Sequence, residues 1–193
     1  MITTISAKLA SYLCRKNIID ANRKEIYQYG YEVLISGLTG FAIVMIMGAV
    51  MKCFLESIMF LAVFVPIRQL TGGYHADSYL KCNIVFTVIF LIVMLVTEAM
   101  LSTILFIYIF ILSGIFIIAV YEFAPMENPN KPLDEGQKLL NRKTALAVSV
   151  IISVTSFIVY FMNKRIAVLM AMTLFAIAFL MFWEKYKVTH TEN

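Results

Sequence analysis

The chain has 193 residues, 61% hydrophobic and 15% charged, with 16 Lys and Arg against 12 Asp and Glu and a net charge of +4. Soluble domains carry roughly 25% charged residues, so this composition excludes an ordinary water-soluble domain and points to a membrane protein. Spanning segments of ~20 residues each leave little chain for a separate soluble domain, and one bundle is expected.

The opening "MITTISAKLASYLCRKNIIDANRKEIYQYGYE" scatters Lys8, Arg15, Lys16, Arg23 and Lys24 among short apolar patches. It lacks the continuous apolar core and small-residue cleavage site of a signal peptide, so no removable leader is expected. Ile2, Ile5, Leu9, Tyr12 and Leu13 share one side, so residues 1–32 are predicted to form an amphipathic helix or helix pair. Such basic segments lie flat on anionic membrane surfaces. Six apolar stretches follow at about 33–51, 53–67, 83–97, 99–121, 144–162 and 166–183. The fold class is therefore an all-α polytopic membrane helix bundle of about six transmembrane helices, spanning 33–183, with a short polar tail at 184–193. Abrupt polar joints at "MKC" (51–53), "TEA" (97–99) and "MNKR" (162–165) suggest antiparallel hairpins.

With six spans and both termini on one side, that side holds thirteen of the sixteen Lys and Arg; the other has Lys52, Lys164 and Arg165. Positive charge favours the cytoplasmic face, so both termini and the two long loops, 68–82 and 122–143, are expected there, in a plasma membrane. Reduced thiols follow for Cys14, Cys53 and Cys82, which are odd in number and lack the spacing of a metal or redox site. No metal cluster, cofactor loop or nucleic-acid surface is indicated. Glu56 and Glu98 lie near predicted span ends on the side opposite the long loops, where a carboxylate reaches water cheaply.

The segment "RQLTGGYHADSYLKC", residues 68–82, departs most from its apolar setting. Pro66 to Gly73 is predicted to end the second span in a loop, with the glycines allowing a sharp return. On one continuous helix His75 and Cys82 would lie ~10.5 Å apart along the axis, too far to touch, so contact needs a fold-back. Asp77 or Ser78 is a candidate N-cap for a helix that then carries Cys82 near its positive end. A Cys and His so placed suit nucleophilic catalysis, with Cys82 attacking and His75 as base or ion-pair partner. The bland alternative, a satisfied interfacial His and a small apolar Cys, competes with this reading. Asp77, Gln69, Asn83, Glu122 and Gln137 are possible orienting groups, and a dyad is equally allowed.

The pattern Arg68-x(4)-Gly73-x-His75-x(6)-Cys82, with Gly72 beside it and "APMENPNKPLDEGQKLLNRK" further on, resembles the accessory gene regulator B (AgrB) family of bacterial membrane endopeptidases. The resemblance covers nearly the whole chain. It implies cleavage of a short membrane-associated propeptide whose acidic C-terminal part is removed. The new C-terminus would be held on Cys82 as a thioester, until a cysteine or serine of the peptide closes a thiolactone or lactone ring for quorum sensing. Arg68, Gly72 and Gly73 would support the site. The resemblance also suggests propeptide recognition by basic residues of the second loop, here Lys131, Lys138, Arg142 and Lys143, and a homodimer as the expected assembly. Topology alone makes such loops basic, which is the competing explanation. A small transporter or peptide exporter, and a non-enzymatic adaptor, are the alternative functions.

Overall fold

The computed structural model describes residues 2–72, 78–102, 106–126 and 134–191. The described chain forms helices α1 (Ile2–Arg15), α2 (Lys24–Val50), α3 (Phe54–Thr71), α4 (Tyr79–Met100), α5 (Phe106–Phe123), α6 (Glu135–Met162) and α7 (Lys164–Thr191), with one 3-10 turn at Ala21–Arg23. Helices α2 to α7 are each long and apolar enough to cross a membrane, and the protein is an all-α polytopic bundle.

Helix α7 occupies the centre, packed against α3, α4, α5 and α6. Its sequence explains the position. From Ile166 to Leu174 every side chain is buried, and Ala167, Ala171 and Ala178 let neighbouring backbones approach closely. Helix α2 reaches its neighbours by a different device. Glu32, Ser36, Gly40, Val44 and Gly48 recur every fourth residue and are its buried positions, a stripe of mostly small side chains. At Gly48 an added Cβ would collide with the Ser57 hydroxyl of α3, so this crossing depends on the missing side chain. Helix α1 packs on α2 through the fully buried Ser6 and Ala10, while Ile5, Leu9 and Tyr12 stay exposed on an adjoining face. An apolar strip left outside by small-residue packing suits a membrane surface.

Four boundaries differ from the sequence-based expectation. The joint expected at "TEA" lies inside α4, which continues to Met100 and turns at Leu101 and Ser102. Glu98 can be helical there because its carboxylate meets Arg165 at 2.9 Å. The expected loop from Pro66 is helical to Thr71: proline forfeits one backbone bond, while the buried Phe64, Ile67 and Thr71 keep the segment packed. Residues 24–32 are continuous with the first span, and 184–191 continue α7, where His190 packs against the ring of Tyr186.

The end of the bundle formed by 51–53 and 162–165 is closed by charge. Arg165 reaches Glu56 at 3.1 Å and Glu98 at 2.9 Å, tying the first turn of α7 to the first of α3 and the last of α4. Cys53 is buried beside this cluster, and burial pushes its thiol up. The opposite end carries the unusual segment.

Candidate active site

The site is built where α3 ends and α4 begins. Helix α3 stops because Gly72 adopts φ +68°, a left-handed conformation that side chains resist, while its N–H still bonds the Arg68 carbonyl at 3.1 Å. A second constraint fixes glycine here. An added Cβ would run into the Met126 carbonyl, because the chain after α5 docks on this helix end, with the Met126 N–H donating to the Thr71 carbonyl at 2.9 Å. The Arg68 guanidinium folds back to donate to the Gly72 carbonyl. Residues 124–126 and the end of α3 are thereby one packed unit.

Helix α4 starts with Ser78 in extended conformation, its hydroxyl accepting from the Lys81 N–H at 3.3 Å; of the two candidate caps, Ser78 takes the role. Cys82 closes the first turn, donating its N–H to the Ser78 carbonyl at 3.0 Å. Its thiol is exposed, in contrast to the buried Cys53. The first turn of a helix is the positive end of its dipole, and Cys82 occupies that turn of α4.

Arg68 stands within electrostatic reach of both the Cys82 thiol and the Glu184 carboxylate of α7, so α3, α4 and α7 each deliver one ionisable group to the same neighbourhood. Glu184 keeps one oxygen buried without a hydrogen-bond partner among the described residues. The first turn of α4 is also tied sideways. Tyr79 donates to Glu32 at 2.9 Å, Gln28 supplies Glu32 with a second bond at 3.1 Å, and Ser36 lies 3.5 Å from the Asn83 amide oxygen. Tyr79 and Asn83, one turn apart, thus anchor one face of α4 to α2 and turn Cys82 away from it.

Of the residues singled out in the sequence, Arg68, Gly72 and Cys82 are brought together. Gly73, His75 and Asp77, and Lys131 of the second loop, lie outside the described residues. Asn83 faces α2, and Gln69, Glu122 and Gln137 are exposed. Asp134 caps α6 by accepting from the Gln137 N–H at 2.7 Å. Lys138 pairs with Glu135 at 3.0 Å. Arg142 donates to the Tyr121 carbonyl at 2.8 Å and lies over the Tyr121 ring at 5.0 Å, bracing α6 against the last turn of α5. Lys143 is exposed. No group of three metal-ligating side chains converges among the described residues. Sequence reasoning overlooked Glu32, Tyr79 and Glu184. The signal for Glu32 and Glu184 was a carboxylate at the rim of an apolar run, where an unpaired charge is costly.

The profile of the family described as "Accessory gene regulator B" matches residues 6–184. The chain belongs to that family. An AgrB-like protein 2 of Clostridium perfringens is 31% identical over 170 residues, covering 83% of this chain and 79% of that protein. An AgrB-like protein of another strain of the same species is 28% identical over the same extent. Protein FsrB of Enterococcus faecalis is 23% identical over 150 residues, covering 74% of this chain and 62% of that one. No solved structure matches significantly. The AgrB-family protein is thus a quorum-sensing accessory gene regulator protein, multi-pass and helical in build.

Proposed function

We propose that this AgrB-family protein is a cysteine endopeptidase of the plasma membrane that matures an autoinducing-peptide precursor, working at the cytoplasmic end of the bundle. The observation that carries the reading is the exposed Cys82 in the first turn of α4, with the Arg68 guanidinium in electrostatic reach. His75 takes the thiol proton as Cys82 attacks the scissile carbonyl. Collapse of the tetrahedral intermediate breaks the C–N bond, the proton passes to the leaving amine, and the acidic C-terminal part of the precursor departs. The acyl group remains on the Cys82 sulfur. A thiol or hydroxyl of the peptide then attacks that thioester, closing the ring and releasing Cys82. Exchange of one thioester for another roughly conserves bond energy, and keeping water away favours cyclisation over hydrolysis. Arg68 is the counter-charge of the thiolate, and Gly72 ends α3 beside it.

Recognition of the acidic part falls to the second loop, with Lys131 and Lys143 as its cations and Lys138 and Arg142 shaping the helix that carries Lys143. The apolar packing of α7 through the described centre of the bundle gives no support to a transport pathway. The test is cleavage of a co-expressed precursor by wild type, Cys82→Ala and His75→Ala, with mass spectrometry of the enzyme. An acyl adduct on wild-type Cys82, and no cleavage by either variant while both remain in the membrane, is the expected result. Normal cleavage by Cys82→Ala would remove the reading.

A further inference from the structure

Helices α4 and α7 run antiparallel and in contact. Between them lies a groove of about 590 Å³, lined on α4 by residues from Ile84 to Val96 and on α7 by residues from Met172 to Trp183. Its size falls within the ~300–1,000 Å³ of pockets that bind small ligands. Every lining residue is apolar. The outer walls are open, with Ile92 52% and Phe179 57% exposed.

The position of the groove relative to the nucleophile decides what it is for. Val85, Ile89 and Val96 lie three, seven and fourteen residues after Cys82, so at 3.6 residues per turn they point within about 60° of the direction of Cys82. Helix α7 ends its share of the lining at Trp183, next to Glu184, which shares the electrostatic neighbourhood of Arg68. One edge of the groove therefore lies on the side of α4 that carries Cys82, and its end at Ile84 and Trp183 lies within one helical turn of that residue and of Glu184 in sequence. From Ile84 to Val96 it extends roughly 18 Å along α4 at 1.5 Å per residue, room for about five extended residues at ~3.3 Å each. Lys81 precedes Cys82 in the first turn of α4 and Arg68 is in its electrostatic reach, whereas the groove that follows along α4 and α7 is lined by apolar side chains alone. A lipid tail matches the apolar half alone. A chain that is apolar up to the cut and acidic beyond it matches both halves.

We propose that the α4–α7 groove is the acyl-side pocket of the enzyme, receiving the apolar side chains of the precursor that immediately precede the scissile bond. This rests on the peptidase reading. The thioester would form with the peptide seated beneath Cys82, shielded from water on the α4 and α7 sides, which favours attack by the peptide's own nucleophile. Specificity on this side is set by volume, so bulk added at Val88 or Ala176 competes with the substrate.

The test uses full-length protein in vesicles with co-expressed precursor. A photo-crosslinking benzoylphenylalanine replaces Val88 in one sample and Phe161, an outward position on α6, in another, both in a Cys82→Ala background that retains the precursor. Precursor adducts at position 88 and none at 161 are expected. Adducts at 88 with phospholipid only, or with a second copy of the chain, would overturn the assignment. In parallel, Val88→Trp and Ala176→Phe in the active enzyme are expected to lower kcat/KM for the precursor about tenfold or more, mainly through KM, the scale on which apolar pockets discriminate. Iodoacetamide labelling of Cys82 should stay unchanged, showing an intact site. Unchanged cleavage by both filled variants would sink the pocket. Wild-type cleavage with an acyl adduct on Cys82, alongside either overturning result, would leave the peptidase reading standing and remove the pocket alone. Absence of both cleavage and adduct in wild type would remove the two together.

Discussion

Two arginines serve opposite ends of this bundle in different ways. At one end Arg165 is clasped by Glu56 and Glu98, so three helix ends share one charged cluster with the buried Cys53 beside it. At the other end Arg68 bonds the Gly72 carbonyl and has both Cys82 and Glu184 in electrostatic reach, while an oxygen of Glu184 stays buried without a hydrogen bond among the described residues. The first arrangement is a closure. The second keeps a cysteine exposed beside an arginine, a pairing that suits chemistry more than closure.

The two cysteines offer the largest contrast to measure. Cys82 is exposed, whereas Cys53 is buried, so a reagent reaches the Cys53 thiol only when its surroundings open. Iodoacetamide should therefore label Cys82 faster by on the order of 100-fold, the ratio expected when the slower site must first open locally. Peptide mapping of detergent-solubilised protein reads both rates at once. Equal rates would mean that the charged closure does not protect its end.

Gly72→Ala attacks the site end through its backbone. The positive φ and the Met126 carbonyl both oppose a Cβ, so a cost of about 2–3 kcal/mol is expected. The strain falls on the junction with residues 124–126. Precursor cleavage should fall with it, while labelling of Cys53, at the far end, should not change. A variant that melts and cleaves like wild type would show that this junction yields freely.

The closed end is tested by Arg165→Met, which leaves the half-buried Glu56 without its cation and should lower stability by about 2 kcal/mol. Glu98→Gln, on the more exposed arm, should cost less than ~1 kcal/mol. Thermal unfolding in one detergent ranks them, and a larger loss for Glu98→Gln would reverse the assignment of the stronger arm. Cleavage by both variants should track stability only.

Hydropathy made the six spans legible, because each apolar run corresponds in the main to one helix. Their ends were less so. Pro66 and Glu98 both look like interruptions, yet each is absorbed by something distant in sequence: the packed Ile67 and Thr71 in one case, Arg165 in the other. At the site, the Ser78 cap and the first-turn position of Cys82 could be read from local chemistry. Gly72 was readable only as a turn, since its need to lack a Cβ comes from Met126, on a different loop. Glu184 was passed over as part of a polar tail, because nothing near it in sequence reveals that α7 carries it toward Arg68.

Arg142 gives the smallest effect and the finest discrimination. In the sequence it is one of several loop cations, whereas in the fold it donates to the Tyr121 carbonyl and covers the Tyr121 ring. Lysine preserves its charge but not the planar fork that makes both contacts at once. If charge toward an acidic precursor were its whole contribution, Arg142→Lys would be neutral. If it braces α6 against α5, Arg142→Lys should lose about 1 kcal/mol of stability, the scale of one exposed charge-assisted bond. Lys143→Gln is the complementary change. With its side chain exposed and bracing nothing, it should leave stability intact, raise KM for the acidic precursor, and flatten the salt dependence of cleavage. The opposite pattern, a stable Arg142→Lys with raised KM and an unstable Lys143→Gln, would exchange the two roles and place the cation that meets the precursor on the turn of α6 nearest Tyr121.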